Sequence, residues 1–120
     1  MMISIIMCTK NSAATIRNAL NSLISQDFTD YELIVVDALS TDETLDVISE
    51  YQFSQFRVLQ QEGKGIYNAF NTGVKYSKGK YIFFLHTDDI FAASDVLRNF
   101  AKIIEFDEYD IIFGNVEYRN

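Results

Sequence analysis

Proline is missing altogether from these 120 residues, and cysteine and histidine occur once each. With no proline, no internal repeat and no linker-like stretch, nothing marks an internal boundary. One domain over residues 1–120 is expected, large enough for a real core but not a generous one. The single cysteine, Cys8, excludes an internal disulfide and a cysteine-built zinc site, and it fits a reducing compartment. Positive charge is scarce: ten Lys and Arg stand against seventeen Asp and Glu, a formal charge of −7. Nucleic-acid binding is therefore not expected, because phosphate backbones call for clustered Lys and Arg. No apolar run approaches the length needed to span a bilayer. The opening Met-Met-Ile-Ser-Ile-Ile-Met-Cys lacks a basic leader and turns polar at Thr9, as a first strand would. A soluble or membrane-peripheral protein is the expectation. Two nucleotide signatures are also lacking: a full dinucleotide fingerprint after the first apolar segment, and a Gly-Lys-Ser/Thr phosphate loop.

What is present is ordinarily globular, 48% hydrophobic and 22% charged, with ten Phe and seven Tyr. Ile3 to Cys8 reads as a buried strand, and Thr9-Lys10-Asn11-Ser12 as a loop ending in good helix-capping residues. From Ala13 to Ser25, the residues Ile16, Ala19, Leu20, Leu23 and Ile24 recur at the spacing of a one-faced helix. Tyr31 to Val36 is a second strand closing with Asp37. Ser40-Thr41-Asp42-Glu43 has capping-box spacing, with Asp42 and Glu43 as helix-start charge. The helix it opens runs to about Tyr51, with Leu45, Ile48 and Tyr51 along one face. Phe56 to Leu59 is a short third strand. The turn Glu62-Gly63-Lys64-Gly65 then leads into a helix from about Ile66 to Tyr76, closed by Ser77-Lys78-Gly79-Lys80 with its late glycine. A fourth strand begins at Tyr81. Ser94 is a cap for a further helix with Leu97, Phe100, Ala101 and Ile104 inward, and Tyr109 to Phe113 makes a fifth strand. Alternating strands and helices call for right-handed crossovers and a mainly parallel sheet covered on both faces, an α/β Rossmann-like three-layer sandwich.

The segment Tyr81-Ile82-Phe83-Phe84-Leu85-His86-Thr87-Asp88-Asp89 draws most attention. Its five consecutive apolar residues read as a strand buried on both faces, and two adjacent carboxylates follow where that strand ends. Open α/β sheets place ligands at the carboxyl ends of their strands. Asp88 and Asp89 there suit a hard divalent cation, which takes one or two carboxylates and completes its shell with water and phosphate. Equally, they suit a solvated turn near the start of a helix, where negative charge is favourable. Thr9-Lys10-Asn11 and Asp37 end other strands and converge on the same edge. Lys64, between two glycines, is either a phosphate contact or a solvated loop lysine. Cys8 reads as a small core residue without a basic partner, and His86 as a histidine that satisfies a backbone group rather than a metal ligand.

Four segments in register carry a resemblance that spans essentially the whole chain. They are Ser4 to Asn11; Leu33 to Asp37 with Ser40-Thr41-Asp42-Glu43-Thr44; Lys64 to Gly73; and Gly79 to Ile82 with Thr87-Asp88-Asp89. Together the chain resembles the start of family 2 glycosyltransferases. The resemblance implies the GT-A fold, inverting transfer from a nucleotide-diphosphate sugar (UDP rather than GDP), and Mg²⁺ or Mn²⁺ held through Asp-Asp. It places Thr9, Lys10 and Asn11 near base and ribose, Asp37 beside the base pocket, Lys64 at its far wall, Asp88 near ribose, sugar or metal, and Asp89 on the metal. The acceptor is expected to be a saccharide or lipid-linked glycan, and the setting cytoplasmic or at the inner membrane face. The family's general base follows the nucleotide half, so it is expected beyond Asn120, and Glu105, Asp107, Glu108 and Asp110 are not assigned that role. The domain then reads as truncated after its fifth strand, and self-association through the exposed sheet edge is expected. Three positions depart from the family pattern. Ala38 follows Asp37 where many relatives carry a second acid or glycine, Gly63-Lys64-Gly65-Ile66-Tyr67-Asn68 lacks two acids, and His86 replaces an acid or amide. These departures leave a second reading, a non-catalytic nucleotide-sugar-binding or assembly module.

Overall fold

A computed structural model of the chain describes residues 2–106. Strand β1 (Ile3–Thr9) leads to helix α1 (Ile16–Ile24), β2 (Tyr31–Asp37) to α2 (Thr44–Ser49), β3 (Phe56–Gln60) to α3 (Ile66–Tyr76), and β4 (Tyr81–Phe84) to α4 (Val96–Phe106). The four strands form one parallel sheet in the order β3-β2-β1-β4. The expected fifth strand lies outside the described residues.

Alternation along β1 and β2 assigns the two faces. Ile3, Ile5 and Met7 with Leu33 and Val35 pack under Ile16, Leu20 and Leu23 of α1, Val47 and Ile48 of α2, and Leu97 of α4. Ile34 and Val36 turn the other way, onto Ala69 of α3 with Cys8 and Leu59 alongside. Side chains pointing to both faces of these central strands are covered, so their sequences read as continuous apolar runs.

Tyr81–Phe84 is the exception to its reading. Among the described residues it is an edge strand, paired with β1 alone, and Ile82 and Phe84 are 40% and 44% exposed. Phe83 faces the main core against Phe91 and Phe100, whereas Phe84 meets only Phe70 edge-on. Helix α3 packs mainly over β1 and β2 and reaches β4 through Phe70, so among the described residues that side of β4 is only partly covered.

Helix ends depart from expectation in an instructive way. The first helix begins at Ile16, after a turn in which the Ser12 carbonyl accepts the Thr15 and Ile16 N–H groups. Ile24, read as inward, is 47% exposed. The capping box over 40–43 does not form. The Ser40 hydroxyl is drawn to Asp37, and Asp42 accepts from the Thr44 N–H at the start of α2. Thr44, Val47 and Ile48 make the buried face of α2 instead of Leu45, which is 42% exposed. Among the described residues Ser94 bonds through its carbonyl, which accepts the Asp27 N–H, and not through a side-chain bond that opens α4. Gln26 reaches across to accept the Leu97 N–H at 3.1 Å while donating to the Ala93 carbonyl at 2.6 Å. Gly79 does not cap α3. A Cβ there would lie 2.5 Å from the backbone nitrogen of Ser4, so glycine is required for close approach to β1.

Candidate functional site

The parallel register aligns strand ends at one edge. Thr9 pairs with Asp37 and Asp37 with Gln60, and the ladder continues through the Ala38 N–H to the Thr9 carbonyl and the Gln61 N–H to the Asp37 carbonyl, both 2.9 Å. Above these ends opens a cleft of about 530 Å³, within the range of small-ligand sites. Cys8, Thr9 and Lys10 come to it from β1, Ala38 and Leu39 from the β2–α2 loop, and Gly63 to Ile66 from the turn that starts α3.

The cleft's rims are held by side chains. Asn11, in the left-handed region at φ 50, accepts the Thr41 and Asp42 N–H groups at 2.7 and 3.2 Å through Oδ1. Its own N–H donates to Ser40 Oγ at 2.9 Å. The Ser12 N–H donates to Thr44 Oγ1, and the Ala13 N–H to Asp42. Asp42 is held below the usual carboxylate range chiefly by its hydrogen bond from the Thr44 hydroxyl. Two loops far apart in sequence are thus fastened together. Asp37 is 5% exposed, and both its oxygens are engaged by Ser40, Oδ1 by the hydroxyl at 2.6 Å and Oδ2 by the N–H at 3.0 Å.

The opposite rim turns on Gly63 and Gly65, at φ 83 and 85, which a residue with Cβ rarely adopts. Gln61 Nε2 donates to both their carbonyls at 3.3 and 2.9 Å, and the Asn68 amide donates to the Lys64 carbonyl. Lys64 is thereby presented at the cleft, facing the same space as Lys10. In a chain of charge −7, two lysines at one cleft are a local reversal of sign that favours an anionic ligand.

At the cleft lies Thr9 Oγ1, the one buried side-chain polar atom without a hydrogen-bond partner among the described residues. Such groups are uncommon because burial without a partner costs about 1–3 kcal/mol. Cys8 beside it is free, and burial pushes its thiol up to about 11.

Asp88 and Asp89 follow β4, next to β1, and do not line this cleft. Both are exposed. The Asp89 N–H donates to the His86 carbonyl at 3.1 Å, and Asp89 Oδ2 accepts the His86 N–H at 3.2 Å. Histidine 86 itself is exposed and enters this turn through its backbone. Among the described residues no cluster of three or more His, Cys, Asp or Glu side chains is able to hold a metal. A donor set of exposed carboxylates fits a hard cation that keeps waters and takes phosphate oxygens, and does not fit zinc.

Of the residues picked out from sequence, Thr9, Lys10 and Lys64 meet at the cleft, Asp37 and Asn11 brace its rim, and the acid pair stands at the neighbouring strand end. Leu39, Gln61 and Ile66 were not foreseen. Only Leu39 carried a signal, a large apolar residue inside an otherwise polar strand–helix loop.

Comparison with known proteins decides the lineage. Residues 4–120 match the model of "Glycosyl transferase family 2". The chain belongs to this family. It is 32% identical over 120 residues to the UDP-Glc:alpha-D-GlcNAc-diphosphoundecaprenol beta-1,3-glucosyltransferase WfgD of Escherichia coli, covering 99% of this chain and 47% of that enzyme. The S. aureus TarS 1-349 structure in complex with UDP-GlcNAc superposes with a TM-score of 0.78 at 34% identity, over 88% of this chain and 32% of that one. The Pyrobaculum calidifontis mannosyltransferase PcManGT, in complex with GDP-Man and Mn²⁺, gives 0.76 at 27% identity over 85% and 32%. The family 2 chain therefore has the GT-A fold, and it spans about half the length of the curated relatives it matches.

Proposed function

We propose that this family 2 chain holds a nucleotide-diphosphate sugar, UDP-linked in preference to GDP-linked, and donates its sugar with inversion to a saccharide or lipid-linked acceptor. One observation carries the reading: the unpartnered Thr9 hydroxyl buried at a cleft that also presents Lys10 and Lys64. A hydroxyl left without a partner is satisfied by a ligand that brings its own donors and acceptors, as a nucleobase or ribose does. Names of relatives that use UDP-sugars, and a lipid diphosphate acceptor in one case, support the donor and acceptor classes.

In this reading the cleft takes the nucleoside, and the diphosphate runs toward the end of β4. Asp89, with Asp88 beside it, would hold Mg²⁺ or Mn²⁺. When bound, such an ion neutralises charge on the departing diphosphate as a Lewis acid. Lys10 and Lys64 steer the anionic donor, and Asn11 and Asp37 keep the rim in place. No described residue is assigned as the base that would take the acceptor's proton.

Calorimetric titration of the chain with UDP and GDP, with and without Mn²⁺, tests the proposal. Tighter binding of UDP, strengthened by Mn²⁺ and losing that strengthening in Asp89→Ala, is the expected result. A folded chain that binds neither nucleotide, or an Asp89→Ala variant with unchanged Mn²⁺ dependence, would overturn the corresponding assignment.

A further inference from the structure

Two large apolar side chains stand exposed at the mouth of the cleft: Leu39, 67% exposed, and Ile66, 55% exposed. Scattered surface leucines need no explanation, but these two line the same small space and come from different segments. Leu39 is also in the left-handed region at φ 56, a conformation that branched, non-glycine residues avoid and that clusters at ligand sites. Its neighbours keep it there. The Ala38 N–H is tied to the Thr9 carbonyl, and Ser40 is tied to Asp37 by both its N–H and its hydroxyl. Leu39 is the residue between two clamped positions. On the other rim Gln61 fixes the carbonyls of Gly63 and Gly65, so the first residue of α3, Ile66, is brought to the cleft by a pinned turn.

The lining is thus divided by chemistry. Leu39, Ile66 and Ala69 offer apolar surface, while Thr9 Oγ1 offers an unused hydrogen-bonding group. A planar heterocycle has the matching division, with apolar faces and a polar edge. The geometry points to Leu39 and Ile66 as the residues that cover the faces of the nucleobase, with Leu39 setting the preference for a flat ring. This rests on the nucleotide-sugar reading of the same cleft. It assigns a role to a position that follows the Asp37-Ala38 departure and accounts for the strain held there.

The probe is 5,6-dihydrouridine 5′-diphosphate, which keeps the hydrogen-bonding edge of UDP but has a puckered ring. Titration of the full chain with both ligands should show UDP binding more tightly. Leu39→Ala and Ile66→Ala should each weaken UDP by about tenfold, the share of a leucine-sized contact, and should narrow the gap between flat and puckered ligands. Leu39→Gly supplies a control for folding: it relieves the positive φ, so its thermal midpoint should equal or exceed wild type while UDP affinity falls. Wild-type binding of UDP with Leu39 variants that bind equally well, or that keep the full preference for the flat ring, would overturn the inference and leave the nucleotide reading intact. A folded wild type that binds no UDP would overturn both.

Discussion

Cys8 is a single thiol beside the orphan hydroxyl of Thr9, and its chemistry can report on the cleft. It packs against the apolar cluster of Ile34, Val36 and Ala69 and also lines the cleft. Burial raises its pKa from 9.0 to about 11, so at pH 8 very little thiolate is present. Alkylation by iodoacetamide should therefore be slow, and its rate should climb about tenfold per pH unit from pH 8 to 10 without levelling, since only the thiolate reacts. A plateau near pH 9 would contradict the raised pKa. Saturating UDP should slow the reaction further; labelling indifferent to UDP would remove the nucleotide from Cys8's side. Sequence identified Cys8 as a small core residue but not its second exposure, because a strand residue's distance from a cleft depends on which strand ends lie beside it. Asn11 is similar. The family resemblance placed it near base and ribose, and in the structure its side-chain oxygen accepts from Thr41 and Asp42.

At the scale of elements, a buried knot at the other end of the sheet holds the layers in register. Glu32 on β2, 4% exposed, accepts from the Ser4 hydroxyl and the Lys78 N–H, both at 2.6 Å, and from Arg57 at 3.2 Å. Arg57 also donates to the Tyr76 carbonyl at the end of α3, and the Gly79 N–H donates to Ser4 Oγ. Burial alone would raise the Glu32 pKa, but hydrogen bonds from Ser4, Lys78 and Arg57 outweigh it and hold the carboxyl below its ordinary value. A group with a depressed folded pKa stabilises the fold above its unfolded pKa and loses that contribution as pH falls through the folded value. The knot is therefore at full strength at neutral pH and weakens once pH drops below about 4.3, the ordinary glutamate pKa. Glu32→Gln should cost about 1–2 kcal/mol at pH 7, and urea unfolding at pH 3 should show a smaller difference from wild type. A gap that does not change with pH would mean that Glu32 contributes by shape alone. None of this knot was legible, because a single Glu in an apolar strand looks like a solvent-facing residue until α3 and its following loop are placed over it. Element identity was far more readable. The turn at Gly63 to Gly65 and the stop at Ser77-Lys78-Gly79-Lys80 gave α3 its observed limits, whereas the capping box failed because Asp37, three residues earlier, competes for the Ser40 hydroxyl.

For the whole molecule, the order β3-β2-β1-β4 decides which surfaces are spare. Five apolar residues from Tyr81 to Leu85 have the same hydrophobicity in the middle of a sheet as at its edge, so local pattern could not place β4; only its pairing does. Among the described residues β4 bonds to β1 on one side only, and on the flank that α3 reaches only through Phe70, Ile82 and Phe84 stay 40% and 44% exposed. A parallel edge without a second partner among the described residues, next to exposed aromatic surface, invites another strand or a second copy of the chain. We therefore expect the isolated chain to associate. Sedimentation velocity over a wide concentration range should show the weight-average mass rising with concentration, and Ile82→Lys with Phe84→Lys should suppress the rise by placing charge on that flank. Because Ile82 is partly exposed, does not line the cleft and lies away from the carboxyl end of β4, Ile82→Lys alone should keep the wild-type affinity for UDP. A chain that stays monomeric throughout the range would show that the edge is already covered in solution, and an Ile82→Lys variant that loses UDP binding would show that β4 communicates with the cleft through its pairing with β1.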